Sequence, residues 1–464
     1  MYMLSLALFI AAFVVLCCQL VKKIGRLAIL LLYPAIMIVQ YIANLVTLDS
    51  GVFVYELGTT TSNAYSAQVY LLFQVIFLSF LVLFCPKKSR VSASPFTREG
   101  KVRIAQRYGL FFSVVIAVSL CFSAYVVLDM VVSGIPLLSG GAITHYNFFK
   151  DYSRLPLAGS ASNFLTFCAA LLGVYYALSD KRRSKSIALV VTTLMLTCRA
   201  MLGFKMTGLI DVAIAFLVGA VLFGADASKL KTKSALRIML VLVVLAAGFI
   251  GMYLNYMIIS GEAATLTQAL DLLSERIFGM GAHLWWSALA DHSNGFGLLP
   301  RSDVELLSPF MLMDEFDTSL GVYGMMLQYG NPIVVTADVA GGVRYTADFI
   351  TTAIYYNGYI LGTVVIVGVA GLVAAFLRLF DGLVCDGRVA SFFVAYYLFI
   401  PFTTYFCATG TLTTFFNVKT FVVLLALGYL AMLSAWGRTR SRGVGNGIDG
   451  ASEACIRCDG GAAS

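Results

Sequence analysis

Arg199 and Lys205 stand in the run Leu196-Thr-Cys-Arg-Ala-Met-Leu-Gly-Phe-Lys205, directly after an uncharged stretch from Ile187 to Cys198. Those helical residues reach about 18 Å, well short of the about 30 Å of a bilayer's hydrocarbon core. A helix begun at Ile187 therefore either stops short or carries Arg199 well inside the membrane. A cation there is costly, turns toward a bundle interior or wet cavity, and needs an anionic partner. A lipid-linked phosphate supplies that charge. Within the chain the rival partner is Asp211, at similar depth on the adjacent antiparallel segment, an ion pair that leaves Lys205 unmatched.

Two further groups could do chemistry. Arg276 and His283 are seven residues apart and share a face if one helix survives Gly279 and Gly281. That sets a phosphate-binding arginine beside a histidine base. The plainer reading is an interfacial arginine paired with Glu275 or Asp271. Arg344 and Asp348, four apart, begin a stripe continued by Thr351 or Thr352, Tyr355 and Tyr359. An i,i+4 ion pair anchoring a helix end accounts for the first two. A hydroxyl row continuing inward reads instead as a cavity wall. There is no Walker loop, no G-x-G-x-x-G after a strand, no H-E-x-x-H and no metal cluster, so neither a nucleotide nor any other cofactor is expected. Cys455 and Cys458 form a lone C-x-x-C, a weak metal signal, and the ten cysteines all avoid the longest loop, which argues against a disulfide framework.

The elements that must position these residues are apolar helices. The chain has 464 residues, 60% hydrophobic and 12% charged, with mean hydropathy +0.88. Those values exclude a water-soluble globular domain and describe an all-α polytopic membrane protein. Eleven spanning segments are expected at 2–20, 27–48, 66–84, 108–132, 160–179, 187–204, 207–224, 236–259, 347–377, 389–408 and 415–436. They make a single transmembrane domain over 1–436, with an external loop over 260–346 and a disordered cytoplasmic tail over 437–464. If the first residues are outside, 24 of the 32 Lys and Arg fall on the cytoplasmic side with consistent polarity at every turn. The net charge of +8 thus reflects membrane orientation, and nucleic acid is not an expected partner. Met1-Tyr2-Met3 carries no basic n-region, so the first segment reads as an uncleaved anchor.

A loop of roughly 87 residues without a role is uncommon. Thr267 to Met280 is expected as an interfacial amphipathic helix, with Trp285 and Trp286 at headgroup level beyond it. Asp317 to Tyr329 is expected as a second short helix closed by the turn Gly330-Asn-Pro332. The loop and its border hold eleven acidic residues against three arginines, so Arg276, Arg301 and Arg344 look placed.

The many spans, the dominant late external loop, the cationic break from Arg199 to Lys205, Arg276, and the following Arg344-Tyr-Thr-Ala-Asp348…Tyr355-Tyr-Asn-Gly-Tyr-Ile-Leu-Gly362 resemble the O-antigen polymerase group. The likeness covers residues 190–375. That group is similar to the O-antigen ligases and to the wider C-type glycosyltransferase fold. The resemblance implies a polymerase that joins undecaprenyl-diphosphate-linked oligosaccharide repeat units at the periplasmic face of a bacterial inner membrane. It also implies membrane lipid and a chain-length regulator protein as partners. The related ligases place a histidine near the last large helix, whereas here Arg344 and Asp348 stand there and no histidine follows His292.

The chemistry agrees: breaking a glycosyl–diphosphate bond develops negative charge on the leaving oxygen, which preformed cations stabilise. Arg199, Lys205, Arg276 and Arg344 are the expected diphosphate ligands, Asp348 or His283 the expected proton acceptor, and Asp211, Tyr355 and Tyr359 the expected cavity residues. The rivals are a lipid-linked oligosaccharide flippase, a small-anion transporter, a ligase, and a C-type glycosyltransferase using polyprenyl monophosphate sugars. The near absence of charge in segments 1–5, 10 and 11 argues against a translocation path, and no internal repeat supports a transporter.

Overall fold

The structure is a computed structural model that describes residues 2–85, 98–139, 143, 148–202, 206–224, 250–251, 254, 257–258, 264–270, 273, 282–291, 295–300, 321–340, 347–403 and 420–430. The helices are α1 (Tyr2–Ile24), α2 (Leu32–Asp49), α3 (Ser66–Phe84), α4 (Arg98–Arg107), α5 (Gly109–Ser133), α6 (Ala158–Leu178), α7 (Arg182–Met201) and α8 (Met206–Phe223). They continue with α9 (His283–Ala290), α10 (Gly321–Tyr329), α11 (Pro332–Ala340), α12 (Phe349–Cys385) and α13 (Val389–Pro401), and α14 (Thr420–Leu430). A two-residue hairpin pairs Phe53 with Thr60 and Val54 with Thr59.

Six helical stretches among the described residues are long and apolar enough to cross a membrane, with three shorter apolar helices beside them. The protein is a helical membrane protein. Its outer helices leave apolar side chains uncovered, as lipid contact requires: Leu4 and Leu8 on α1, Leu110 and Val131 on α5, Val190 on α7. The first stretch, Tyr2–Asp49, folds back on itself through a 3-10 turn over Gly25–Leu31. Its two ends meet where the Tyr2 hydroxyl donates to Asp49 Oδ2 at 3.1 Å. The expected 66–84 segment coincides with α3, and most of the others lie within a few residues of a helix. The 236–259 segment falls almost wholly outside the described residues, as does the 437–464 tail.

Helix α6 is the most buried of these stretches, and α8 crosses it at backbone contact. A Cβ at Gly173 of α6 would lie 2.0 Å from Phe216 O of α8, and one at Gly219 of α8 would lie 2.0 Å from Ala170 O of α6. Two glycines face to face let the backbones touch where lipid gives no hydrophobic drive.

The bundle has two chemically different ends. At one, Lys23 donates to Val82 O, Arg26 to Gly224 O, and Arg378 to Phe84 O. At the other, carboxylates bind backbone N–H groups at or just ahead of helix starts. Asp49 accepts from the backbone N–H groups of Ala64, Ser66 and Ala67 at 3.1–3.2 Å. Asp129 does the same for Arg154 and Leu155, each at 3.0 Å. The residues preceding α3 and α6, Tyr65 and Leu157, are left-handed and offer no side-chain cap. Asp49 therefore supplies from the preceding helix the acceptor that the local sequence lacks at the start of α3, while Asp129 ties down the segment ahead of α6.

Helix α12 is broken. Gly358, at φ +70°, separates Phe349–Asn357 from the 27 residues that follow, which span about 40 Å. The N–H groups freed at the break go to the long loop: Tyr359 donates to Gly297 O at 2.9 Å and Ile360 to Leu298 O at 3.3 Å. A Cβ at Gly358 would meet Leu299 O at 2.5 Å, so this close approach requires glycine.

Candidate functional site

The acidic end holds a buried hydrogen-bonded chain centred on Asp348, the N-cap of α12. Asp348 Oδ1 accepts from Thr351 N at 2.9 Å and from Thr351 Oγ1 at 2.5 Å. Its Oδ2 accepts from the Tyr70 hydroxyl of α3 at 2.6 Å. Gln74 Nε2, one turn along α3, donates to the same Tyr70 hydroxyl at 2.8 Å. Tyr41 of α2 lies 2.7 Å from Thr351 Oγ1. The single Thr351 proton is committed to Asp348, so Tyr41 is the donor there. These five side chains come from three helices and are all buried.

The long loop closes over this chain. Trp285 sets its ring edge-on to Tyr70 at 5.4 Å and donates from Nε1 to Ser66 O at 3.0 Å. Trp286 donates to Ser62 O at 2.9 Å. The two indoles, expected at headgroup level, are buried within the protein, because α9 packs on the start of α3 and each indole N–H finds a backbone carbonyl there. Asn331 N donates to Glu56 O at 2.7 Å, docking the α10–α11 turn on the small hairpin. The expected Gly330-Asn-Pro332 turn does close α10, and Pro332 starts a further helix, α11, that the sequence reading lacks.

His283 begins α9 and is buried, with Nε2 3.2 Å from Met326 Sδ of α10. Desolvation pulls its pKa down to about 4, so the ring is neutral at pH 7. Tyr355, whose hydroxyl donates to Gln328, belongs to the same small core of α9, α10 and the first half of α12. The stripe from Asp348 through Thr351 to Tyr355 holds on the first half of α12 and ends at Gly358. Tyr359 lies beyond the break, stacked on Phe73 at 6.0 Å and against Phe296.

Arg199 lies in the other half of the bundle, near the end of α7. Its Nη2 donates to Ser162 O of α6 at 2.7 Å and contacts Thr166 Oγ1 at 3.4 Å. Gly208 of α8 packs beside it, where a Cβ would make an ordinary contact 3.7 Å from Arg199 Cδ. The guanidinium therefore turns into the bundle about one turn below the start of α6 and remains half-buried. Asp211 follows on α8, within electrostatic reach of Tyr396 on α13. The structure thus brings Asp348, Tyr355 and Tyr359 beneath the loop that carries His283, and places Arg199 and Asp211 among α6, α7, α8 and α13. Lys205, Arg276 and Arg344 lie outside the described residues. Tyr41, Tyr70 and Gln74 were not singled out by sequence reasoning. The available signal was Gln74 in the middle of an otherwise apolar span, four residues after Tyr70.

Fold and site together define a helical membrane protein whose longest loop is built into a broken helix. Residues 315–424 match a family of unknown function, DUF6418. The match runs from α10 through α13, under a quarter of the chain, and contains Asp348, Thr351 and Gly358. No curated protein and no solved structure matches.

Proposed function

We propose that this protein is a membrane glycosyltransferase that polymerises undecaprenyl-diphosphate-linked oligosaccharide repeat units at the periplasmic face of a bacterial inner membrane. The observation that carries the reading is Arg199. A guanidinium turned into an apolar bundle near one end of its helices, anchored to a neighbouring helix backbone, suits a diphosphate whose lipid tail lies in the membrane. The sequence adds Lys205, Arg276 and Arg344 to the same role.

In the reaction, the acceptor hydroxyl attacks the anomeric carbon and the glycosyl–oxygen bond to diphosphate breaks. Charge develops on the leaving oxygen, where cations lower the barrier. The acceptor proton ends on released diphosphate or water. Asp348 and His283, expected as proton acceptors, are given positioning roles in this proposal. Both Asp348 oxygens already accept hydrogen bonds in a buried chain, and the buried His283 ring is a weak base. A base contributes about 10²–10⁴-fold where one exists, and diphosphate leaves readily without acid assistance.

The test is the surface polysaccharide of cells lacking the protein, resolved by gel. Loss of the ladder with one repeat unit retained supports a polymerase. A repeat-free core band overturns it in favour of a ligase or flippase.

A further inference from the structure

The bend in α12 is sharp enough to fold the helix back on itself. A Cβ at Gly362 would lie 2.7 Å from Ala353 O and 3.0 Å from Ile354 Cα. Nine residues of unbroken helix would hold Gly362 and Ala353 about 13 Å apart. The two halves of α12 therefore pack against each other, where the sequence reading expects one span over 347–377. Phe349, at the start of the short half, meets Phe77 of α3 at 5.3 Å, and Tyr359, just past the bend, stacks on Phe73. The short half thus starts beside the middle of α3 and rises toward the acidic end. Arg378 lies twenty residues beyond Gly358 and donates to Phe84 O at the basic end. Twenty helical residues rise about 30 Å, so the bend stands at the opposite edge of the hydrocarbon core.

The segment Phe296-Gly-Leu-Leu-Pro300 of the long loop is laid into this bend. Gly297 O and Leu298 O accept from Tyr359 N and Ile360 N, and Leu299 O fills the space beside Gly358 that a Cβ would need. Phe296 packs between Trp285 at 4.6 Å and Tyr359 at 5.9 Å. Irregular backbone is tolerated at membrane depth where protein groups pair its polar atoms, as α12 does for these two carbonyls. The leucine side chains are left bare, with Leu298 68% and Leu299 70% exposed. Ile360, bonded to Leu298 O, is 61% exposed, and so is Val364 one turn further along α12. Those two lie on the spanning half of α12 and face lipid. Single leucines scattered on a surface need no explanation, but four contiguous apolar side chains at the end of a spanning helix mark a contact.

We propose that Leu298 and Leu299 are inserted among the acyl chains of the bilayer leaflet at the acidic end, which makes this part of the long loop a membrane-embedded strap. Acyl chains are the occupant because the patch carries no charged or hydrogen-bonding side chain for a headgroup, and because it continues the lipid face of α12 across a hydrogen-bonded junction. The loop then cannot lift off the bend without drawing two leucines out of the membrane. The insertion stands apart from the glycosyl transfer proposed above, and its tests read lipid contact and protein amount.

The test is photo-crosslinking of the full-length protein in phosphatidylcholine vesicles, with benzoylphenylalanine replacing Leu298, Leu299, Val364 or Thr60, one at a time. All four side chains are exposed, so the probe should be accommodated. Adducts heavier by one phospholipid should form from the two leucine positions and from Val364, and not from Thr60 on the small hairpin. Crosslinks from both leucine positions to a second copy of the chain, or to another segment of the same one, overturn the proposal. So does the lack of any adduct there while Val364 gives one. Phospholipid adducts as abundant at Thr60 as at Leu298 overturn it too. In cells, the double variant Leu298→Asp, Leu299→Asp should lower the amount of protein in membranes at least threefold, and Leu298→Met with Leu299→Met should not. An undiminished aspartate variant overturns insertion.

Discussion

Asp348 and Tyr70 stand 278 residues apart in the chain and share a buried 2.6 Å hydrogen bond, with the phenol donating to the carboxylate. The bond joins the start of α12 to α3, and Gln74, Thr351 and Tyr41 extend it into a chain across three helices. Tyr70→Phe keeps the ring against Trp285 but strips one donor from a buried carboxylate, a loss of about 1–3 kcal/mol. The apparent Tm in detergent should fall by several degrees. Tyr55→Phe, at a position 63% exposed, is the control. Equal midpoints for the two variants would mean that the chain does not hold α12 in place.

Gly358 carries the second prediction. Alanine there must adopt φ +70° and bring its Cβ within 2.5 Å of Leu299 O, so the loop must leave the break or the helix must straighten. Gly358→Ala should sharply reduce the amount of folded protein in membranes. Gly368→Ala, ten residues along the same helix with nothing within 4 Å of the new Cβ, should be neutral or stabilising by up to about 1 kcal/mol. Similar abundance for the two would refute the tight docking of the loop.

Much of this architecture was legible in the sequence and some was not, for a physical reason that separates the two. Helix α3 is bounded on the page because its apolar run ends at Cys85-Pro86-Lys87 and nothing distant decides its limits. Arg199 was legible as a cation with too little apolar helix before it. Its acceptors, Ser162 O and Thr166 Oγ1, were not, because they lie on another helix. The break at Gly358 was missed because a glycine within an apolar span is ordinary. Here the break is completed by carbonyls about 60 residues upstream. The burial of Trp285 and Trp286 depends in the same way on Ser66 and Ser62, more than 200 residues earlier.

The α6–α8 crossing gives a third prediction. With Cβ positions 2.0 Å from backbone oxygens on both sides, Gly173→Ala or Gly219→Ala must push the helices apart. Each should lower the apparent Tm more than Gly371→Ala, whose new Cβ meets only Phe84 ring atoms at 3.7 Å. The pair Gly173→Ala with Gly219→Ala should be less damaging than the sum, because one separation of the helices relieves both clashes. Strict additivity would count against a shared crossing point.

His283 makes stability depend on pH. Its folded pKa of about 4 lies below the ordinary value of 6.5, so the unfolded chain binds the proton more readily. The contribution is fully present above pH 6.5 and is lost as pH falls toward 4, at roughly 1.4 kcal/mol per unit. The midpoint should therefore fall between pH 7 and pH 4.5, and His283→Gln should flatten that slope. An unchanged slope in the variant would place the titrating group elsewhere.

Arg199 separates a structural from a chemical role. If its work is to tie α7 to α6 through Ser162 O, then Arg199→Ala should lower abundance, and Arg199→Lys should restore both abundance and activity by renewing the bond to that carbonyl. If it holds diphosphate, Arg199→Ala should accumulate normally yet lose the polysaccharide ladder. Arg199→Lys should then recover only part of it, because an ammonium cannot offer the planar fork that grips two phosphate oxygens. Asp211 sharpens the distinction. Were the two residues a structural ion pair, Asp211→Asn would strand a buried charge, and exchanging them, Arg199→Asp with Asp211→Arg, would recover abundance. The second outcome is expected, because Arg199 is already anchored to a backbone carbonyl of α6 and remains half-buried, with surface left for a ligand. A full ladder from the exchanged pair would falsify the diphosphate role.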